Sequence, residues 1–142
     1  MFGKAMADYG HVAVAAFLAS EDGISADWPD GFPDSGLNIS GLEEWISTEQ
    51  PREIEFATAD LPITDVAQGA GALGDANGKQ DRDGVYRRGR LFSVFDSRSV
   101  PSMGFAAWLA ANPGNHDLRI ESGRLSIDSF IVPIDRDGAA IL

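Results

Sequence analysis

Residues 117–132 read DLRIESGRLSIDSFIV, and their alternation decides the fold class. Leu118 and Ile120 alternate with Arg119 and Glu121, and Leu125 and Ile127 alternate with Arg124 and Ser126. Period-two patterning of this kind marks a strand with one face buried. Between the two arms stand Ser122 and Gly123, a two-residue connection whose glycine supplies the positive φ that a tight hairpin needs. The stretch is read as a hairpin of strands 117–121 and 124–132. Leu118, Ile120, Leu125, Ile127 and Phe130 face inward, with a slip in the alternation near Ser129.

Working outward, a short helix precedes this hairpin. Residues 104–113, GFAAWLAANP, place Phe105, Trp108 and Leu109 on one face, with Ser102 as the expected cap and Pro113 as the stop. Residues 41–51, GLEEWISTEQP, repeat the pattern of Gly, apolar residue, Trp, apolar residue and closing Pro. Here Leu42, Trp45 and Ile46 share a face, and Ser40 with Glu43 has capping-box spacing. Helices this short do not hold themselves together in water, so each must bury its Trp face on a sheet. Local physics solved twice accounts for the recurrence better than duplication does, because the resemblance fades outside the helices.

The remaining stretches supply strands and loops. Residues 11–20, HVAVAAFLAS, are apolar on both faces and predict a buried central strand. Residues 21–36 are a loop punctuated by Gly, Pro and Asp. Residues 53–59, EIEFATA, alternate, with Ile54 and Phe56 inward. Residues 61–67, LPITDVA, read as an edge strand, since Pro62 excludes a central one. Residues 68–84 read as the longest flexible stretch, and 85–95 as a strand pair or one bent strand broken at Gly89. Together these predict a single α+β domain over 1–142: a mostly antiparallel sheet of five to seven strands with two short Trp-anchored helices. A β-sandwich or barrel with helical decorations is the alternative.

Composition narrows the chemistry. The chain has no cysteine, which removes disulfides, thiolate metal sites and thiol nucleophiles. It has no apolar run long enough to span a membrane. Lys4 followed by the apolar run 12–19 only loosely resembles a secretory signal, because Asp8, Gly10 and His11 interrupt it. The expected location is the cytoplasm or an assembled particle. The net charge of −11 is uneven: 14 acids and 2 bases through Gly78 give −12, and 8 acids and 9 bases from Lys79 onward give +1. Such a balance disfavours direct contact with nucleic acid.

Several residue groups invite a site. Asp75, Asn77, Asp81 and Asp83 fall on alternate positions as calcium-loop ligands do. Lys79, Gln80 and Tyr86 occupy places where that loop needs a ligand, a glycine and a bidentate carboxylate, so a solvated loop is expected and no metal or cofactor is assigned. Glu53 and Glu55 on one strand face are an exposed acidic pair before they are a catalytic one. Ser102 lacks a nucleophile elbow, His11 and His116 lack neighbouring motifs, and GAGALG at 69–74 lacks dinucleotide-loop spacing. Trp28 and Phe32, set among Asp27, Asp30 and Asp34, are an interaction candidate, although aromatics in a long loop more often anchor it. Arg87, Arg88 and Arg90 form a basic spot, expected to pair with acids of the same or a neighbouring copy.

The functional expectation is a non-enzymatic structural or interaction protein, a subunit of a larger assembly such as a virus particle. Its expected partners are other protein chains, with a copy of itself among the candidates, and no direct nucleic acid or membrane. Two alternatives stand beside it. One is an acidic protein that occupies the basic surface of a nucleic-acid-binding partner, and the other is an enzyme or ligand-binding domain with an unrecognised site.

Overall fold

The computed structural model describes residues 2–141. In chain order the elements are α1 (Phe2–Tyr9), β1 (Ala13–Ala19), α2 (Leu42–Glu49), β2 (Glu55–Phe56), β3 (Thr58–Asp60), α3 (Thr64–Gly69), β4 (Ala72–Asp75), β5 (Arg88–Arg90), β6 (Phe92–Phe95), β7 (Arg98–Pro101), α4 (Met103–Ala111), β8 (Leu118–Glu121), β9 (Arg124–Ile127), β10 (Phe130–Pro133) and β11 (Ala139–Ile141). The fold is α+β. Its strand pairs are mostly antiparallel, spread over four small sheets rather than one, and none closes into a barrel.

The contacts gather in two compact units. The first holds the chain up to Leu37 together with Glu55–Asn77 and Phe92–Pro113. Its central sheet has the order β3-β1-β4, with β1 antiparallel to β3 and parallel to β4. One face of β1 presents Val14, Ala16 and Leu18 to a core shared with Trp28, Leu73, Phe95 and Val100. On the other face, Ala13 and Ala72 meet Ala106, Leu109 and Ala110 of α4. With core on one side and α4 against the Ala13 end of the other, β1 takes the central position its apolarity predicts, but its second face is not fully buried, since Phe17 is 50% exposed. A second sheet, β2-β6-β7, contributes Phe92 and Phe95.

Strand β4 falls where the sequence reads as a flexible stretch, and all four of its residues are buried. Its one glycine serves packing rather than flexibility. A Cβ on Gly74 would lie 2.7 Å from the Ala106 Cβ and 2.8 Å from the Met103 Cα, so only glycine lets α4 rest on this strand. Residues 61–67 likewise differ from the edge strand expected of them. Pro62 precedes a helix start instead, and α3 packs on α1 through Gly3 and Gly69.

The second unit holds Asn38–Ile54, Gly78–Leu91 and the chain from Gly114 onward. Its main sheet is the antiparallel meander β10-β9-β8. The Ser122-Gly123 turn joins β8 to β9, with Gly123 at φ 77°. The long second arm splits, because Asp128 takes φ 52° and turns the chain into β10. That turn is the physical cause of the slip near Ser129. Leu118, Ile120, Leu125 and Ile127 are buried as expected, but Phe130 lies at the sheet margin and is 66% exposed. A two-stranded sheet pairs β11 with β5, and the break in 85–95 falls at Leu91 rather than Gly89.

Both Trp helices form where expected, one in each unit, but only α2 is anchored by its Trp: Trp108 is half-buried, and α4 buries Phe105, Ala106 and Ala110 instead. Ser102 caps α4 by accepting the Phe105 N–H. Ser40 does not cap α2. Its N–H donates to the Leu118 carbonyl and its own carbonyl accepts from Ile120, which ties it to β8 and leaves the cap position to Gly41 at φ 83°. A Cβ there would lie 3.0 Å from the Ile120 carbonyl oxygen, so Gly41 sets how closely α2 approaches the meander. Trp45, 3% exposed, is the anchor of α2. At 150–250 Å² of burial such a side chain contributes a gross ~4–6 kcal/mol, enough to secure two turns of helix.

Candidate interaction surfaces

In the first unit the loop aromatics are turned into the core. Trp28 is 8% exposed and Phe32 9%, their rings meet edge-on at 5.5 Å, and Trp28 also contacts Phe95. The Trp28 backbone N–H donates to the Asp96 carboxylate at 2.8 Å, and the Arg98 guanidinium lies 5.3 Å from the indole centroid. Both aromatics therefore act as loop anchors and neither ring is offered to a partner, while Asp27, Asp30 and Asp34 remain exposed around them.

Asp75 ends β4 as a buried carboxylate, 6% exposed. It accepts from the Leu18 and Asn77 backbone N–H groups and from the Ser93 hydroxyl at 3.1 Å. These bonds join β1, β4 and β6 at one point and account for the polar group in the core. Asp81 and Asp83 are engaged separately in the second unit, where Arg87 holds both, forking onto Asp83 at 2.9 and 2.7 Å. The four calcium-loop candidates thus belong to two hydrogen-bonding systems. Among the described residues no group of three or more acids or histidines is placed to hold a metal.

The arginine spot is likewise tied to its own unit. Arg87 forks onto Asp83, which keeps that carboxyl below its usual range and raises the guanidinium. Arg88 pairs with Asp135 at 3.3 Å, and Arg90 donates to the Glu53 carbonyl. Lys79 bonds the Glu53 carboxylate and holds it below the ordinary glutamate range, and the Arg52 backbone N–H does the same for Asp137. His11 Nδ1 lies 2.8 Å from the Ala110 carbonyl, so that nitrogen carries the proton. His116 bonds Asp128 at 2.7 Å and lowers its pKa. Ser102 is a helix cap, and Glu55 is exposed on β2.

Two surfaces of the second unit were not legible in the sequence. The first is the free edge of the meander, where Phe130 is 66% and Ile131 62% exposed. The Ile134 N–H donates to the Gly123 carbonyl at 3.0 Å, which fixes the even-numbered residues of β10 as those bonded to β9. Ile131 and Pro133 then turn their backbone outward, and Pro133 has no N–H to give. The edge resists strand addition and presents apolar side chains instead. The second surface is a groove of about 220 Å³ between α2 and the β8–β9 turn. Trp45 and Ile120 form its floor, and Glu44, Thr48, Glu49, Glu121 and Ser122 stand around it with Gly41.

Among the described residues no helix is long and apolar enough to cross a membrane. No protein-family model matches the chain, and no curated protein or solved structure shows significant similarity to it.

Proposed function

We propose that the protein is an interaction subunit, a chain whose work is to bind other protein chains, copies of itself among them, within a larger assembly such as a virus particle. The observation that carries this reading is the exposed Phe130–Ile131 pair on an ordered strand. Burying either side chain in a partner interface removes apolar surface worth about 1.5–3 kcal/mol from water. Pro133 beside it discourages open-ended edge pairing, so contact through side chains is favoured over fibre-like growth. The test is the solution mass by light scattering after size exclusion, across protein concentration and salt. Wild type is expected to exceed the mass of one chain, and the Phe130→Ser/Ile131→Ser variant to run as a single chain. A wild type that stays a single chain throughout removes self-assembly from the reading.

A second reading, an acidic protein covering a basic surface on a nucleic-acid-binding partner, draws on charge. Arg52, Lys79, Arg87, Arg88, Arg98 and Arg124 are each paired to an acid of the same chain. The excess negative charge is therefore what remains to face a partner. Binding of this kind weakens steeply with salt.

A further inference from the structure

We infer that the groove between α2 and the β8–β9 turn receives a lysine or arginine side chain from an extended, basic segment of a partner protein. The inference rests on the interaction reading above and names the partner's chemistry. The cavity of about 220 Å³ is large enough for one long side chain. Trp45 and Ile120 give it an apolar floor on which an aliphatic stem can lie, while the charged head stays at the wet rim. At that rim Glu44 and Glu49 make no ion pair among the described residues, and the third carboxylate, Glu121, is bridged by Arg124.

The charge of the rim selects the occupant. A neutral apolar side chain would bring no counter-charge to Glu44 and Glu49, and an acidic one would be repelled. A cation on a flexible stem satisfies the floor and the rim together. A foreign segment fits this groove better than a second copy, because most of the chain's own bases are already paired to its own acids. Gly41 keeps α2 close to Ile120, so the groove is held by backbone rather than by mobile side chains.

The test uses the 15N-labelled full chain titrated with capped Gly-Arg-Gly and Gly-Lys-Gly, and with capped Gly-norleucine-Gly as the uncharged control. The basic peptides are expected to shift the Trp45 indole and the amides of Gly41, Thr48, Glu49 and Ile120–Ser122 in a saturable way. A dissociation constant of order 1 mM suits a single side chain. The Glu44→Gln/Glu49→Gln variant should weaken that binding at least fivefold, and the norleucine peptide should leave the groove signals in place. Shifts scattered over the acidic surface, equal binding of the norleucine peptide, or no saturable response would each overturn the inference. The titration is repeated on the Phe130→Ser/Ile131→Ser variant. A single-chain variant that still binds basic peptide separates the groove from self-assembly. Loss of groove binding while wild type still assembles defeats this inference and leaves the interaction reading intact.

Discussion

Gly3 and Gly69 meet backbone to backbone where α1 packs on α3: a Cβ on Gly69 would lie 2.1 Å from the Gly3 carbonyl oxygen and 2.8 Å from its Cα. No rotamer change relieves such a contact, because the obstructing atoms are main chain. Gly69→Ala should therefore cost about 1–3 kcal/mol despite alanine's better helix propensity. Gly104 in α4 has open space where its Cβ would be, and Gly104→Ala should gain about 0.5–1 kcal/mol. Urea midpoints of the two variants against wild type check the pair of signs.

Asp75 is a buried carboxylate surrounded by donors, not by a cation. Asp75→Asn should stay within about 1 kcal/mol of wild type. Its amide oxygen can keep the two backbone N–H groups while its amide nitrogen donates to the Ser93 hydroxyl. Asp75→Ala strands all three donors and should cost about 3 kcal/mol or more. A denaturation series on both variants decides, and equal damage from the two would show that the charge itself is required.

Asp96 and Ser97 turn β6 into β7 with φ values of 48° and 59°, a conformation that side chains resist. Ser97→Gly should raise stability by about 0.5–1 kcal/mol, read as a higher melting temperature. Asp96→Gly should not, because it also removes the carboxylate that accepts from Trp28.

The dependence on pH follows from four carboxyls. Lys79 lowers Glu53, Arg87 lowers Asp83, His116 lowers Asp128, and the Arg52 N–H lowers Asp137. Each titrates lower in the folded chain than in the unfolded one. Their contribution is complete above the unfolded carboxyl range of about pH 4 and is lost as pH falls through the depressed values. Glu53, Asp83 and Asp128 are exposed and Asp137 is half-buried, so the loss is gradual. Urea midpoints are expected to hold between pH 7 and about 5 and to fall below about 4. A midpoint that rises on acidification below that point would contradict these pairings.

Patterns written in nearby residues were legible in the sequence. The alternation around Ser122-Gly123, the two-sided apolarity of 11–20 and the two Trp helices all appear in the structure at their predicted places. What escaped is decided by distant partners. Gly71 and Gly74 look like loop residues until the Gly10 carbonyl is laid against the first and α4 against the second. Asp96-Ser97 and Asp128 turn the chain without the glycine that would announce a hairpin. Ser40 has the spacing of a cap, but the Leu118 carbonyl and the Ile120 N–H take up its backbone. The groove draws on Trp45, Glu44 and Glu49 from one segment and Ile120 and Glu121 from another some seventy residues later, a conjunction no local pattern records. Phe130 fits the alternation of its strand, and only the position of β10 at the sheet margin leaves it in solvent.

The chain passes from one unit to the other at residues 37–38, 54–55, 77–78, 91–92 and 113–114. During synthesis, then, neither unit is finished early. The first lacks its α4 until residues near 113 have left the ribosome, and the second lacks its entire meander until the stretch after Gly114 follows. The α4-facing side of β1 and the Trp45 face of α2 must therefore wait for late-arriving partners, and a chain released before α4 would hold the core of β1, Trp28, Leu73, Phe95 and Val100 but neither unit whole.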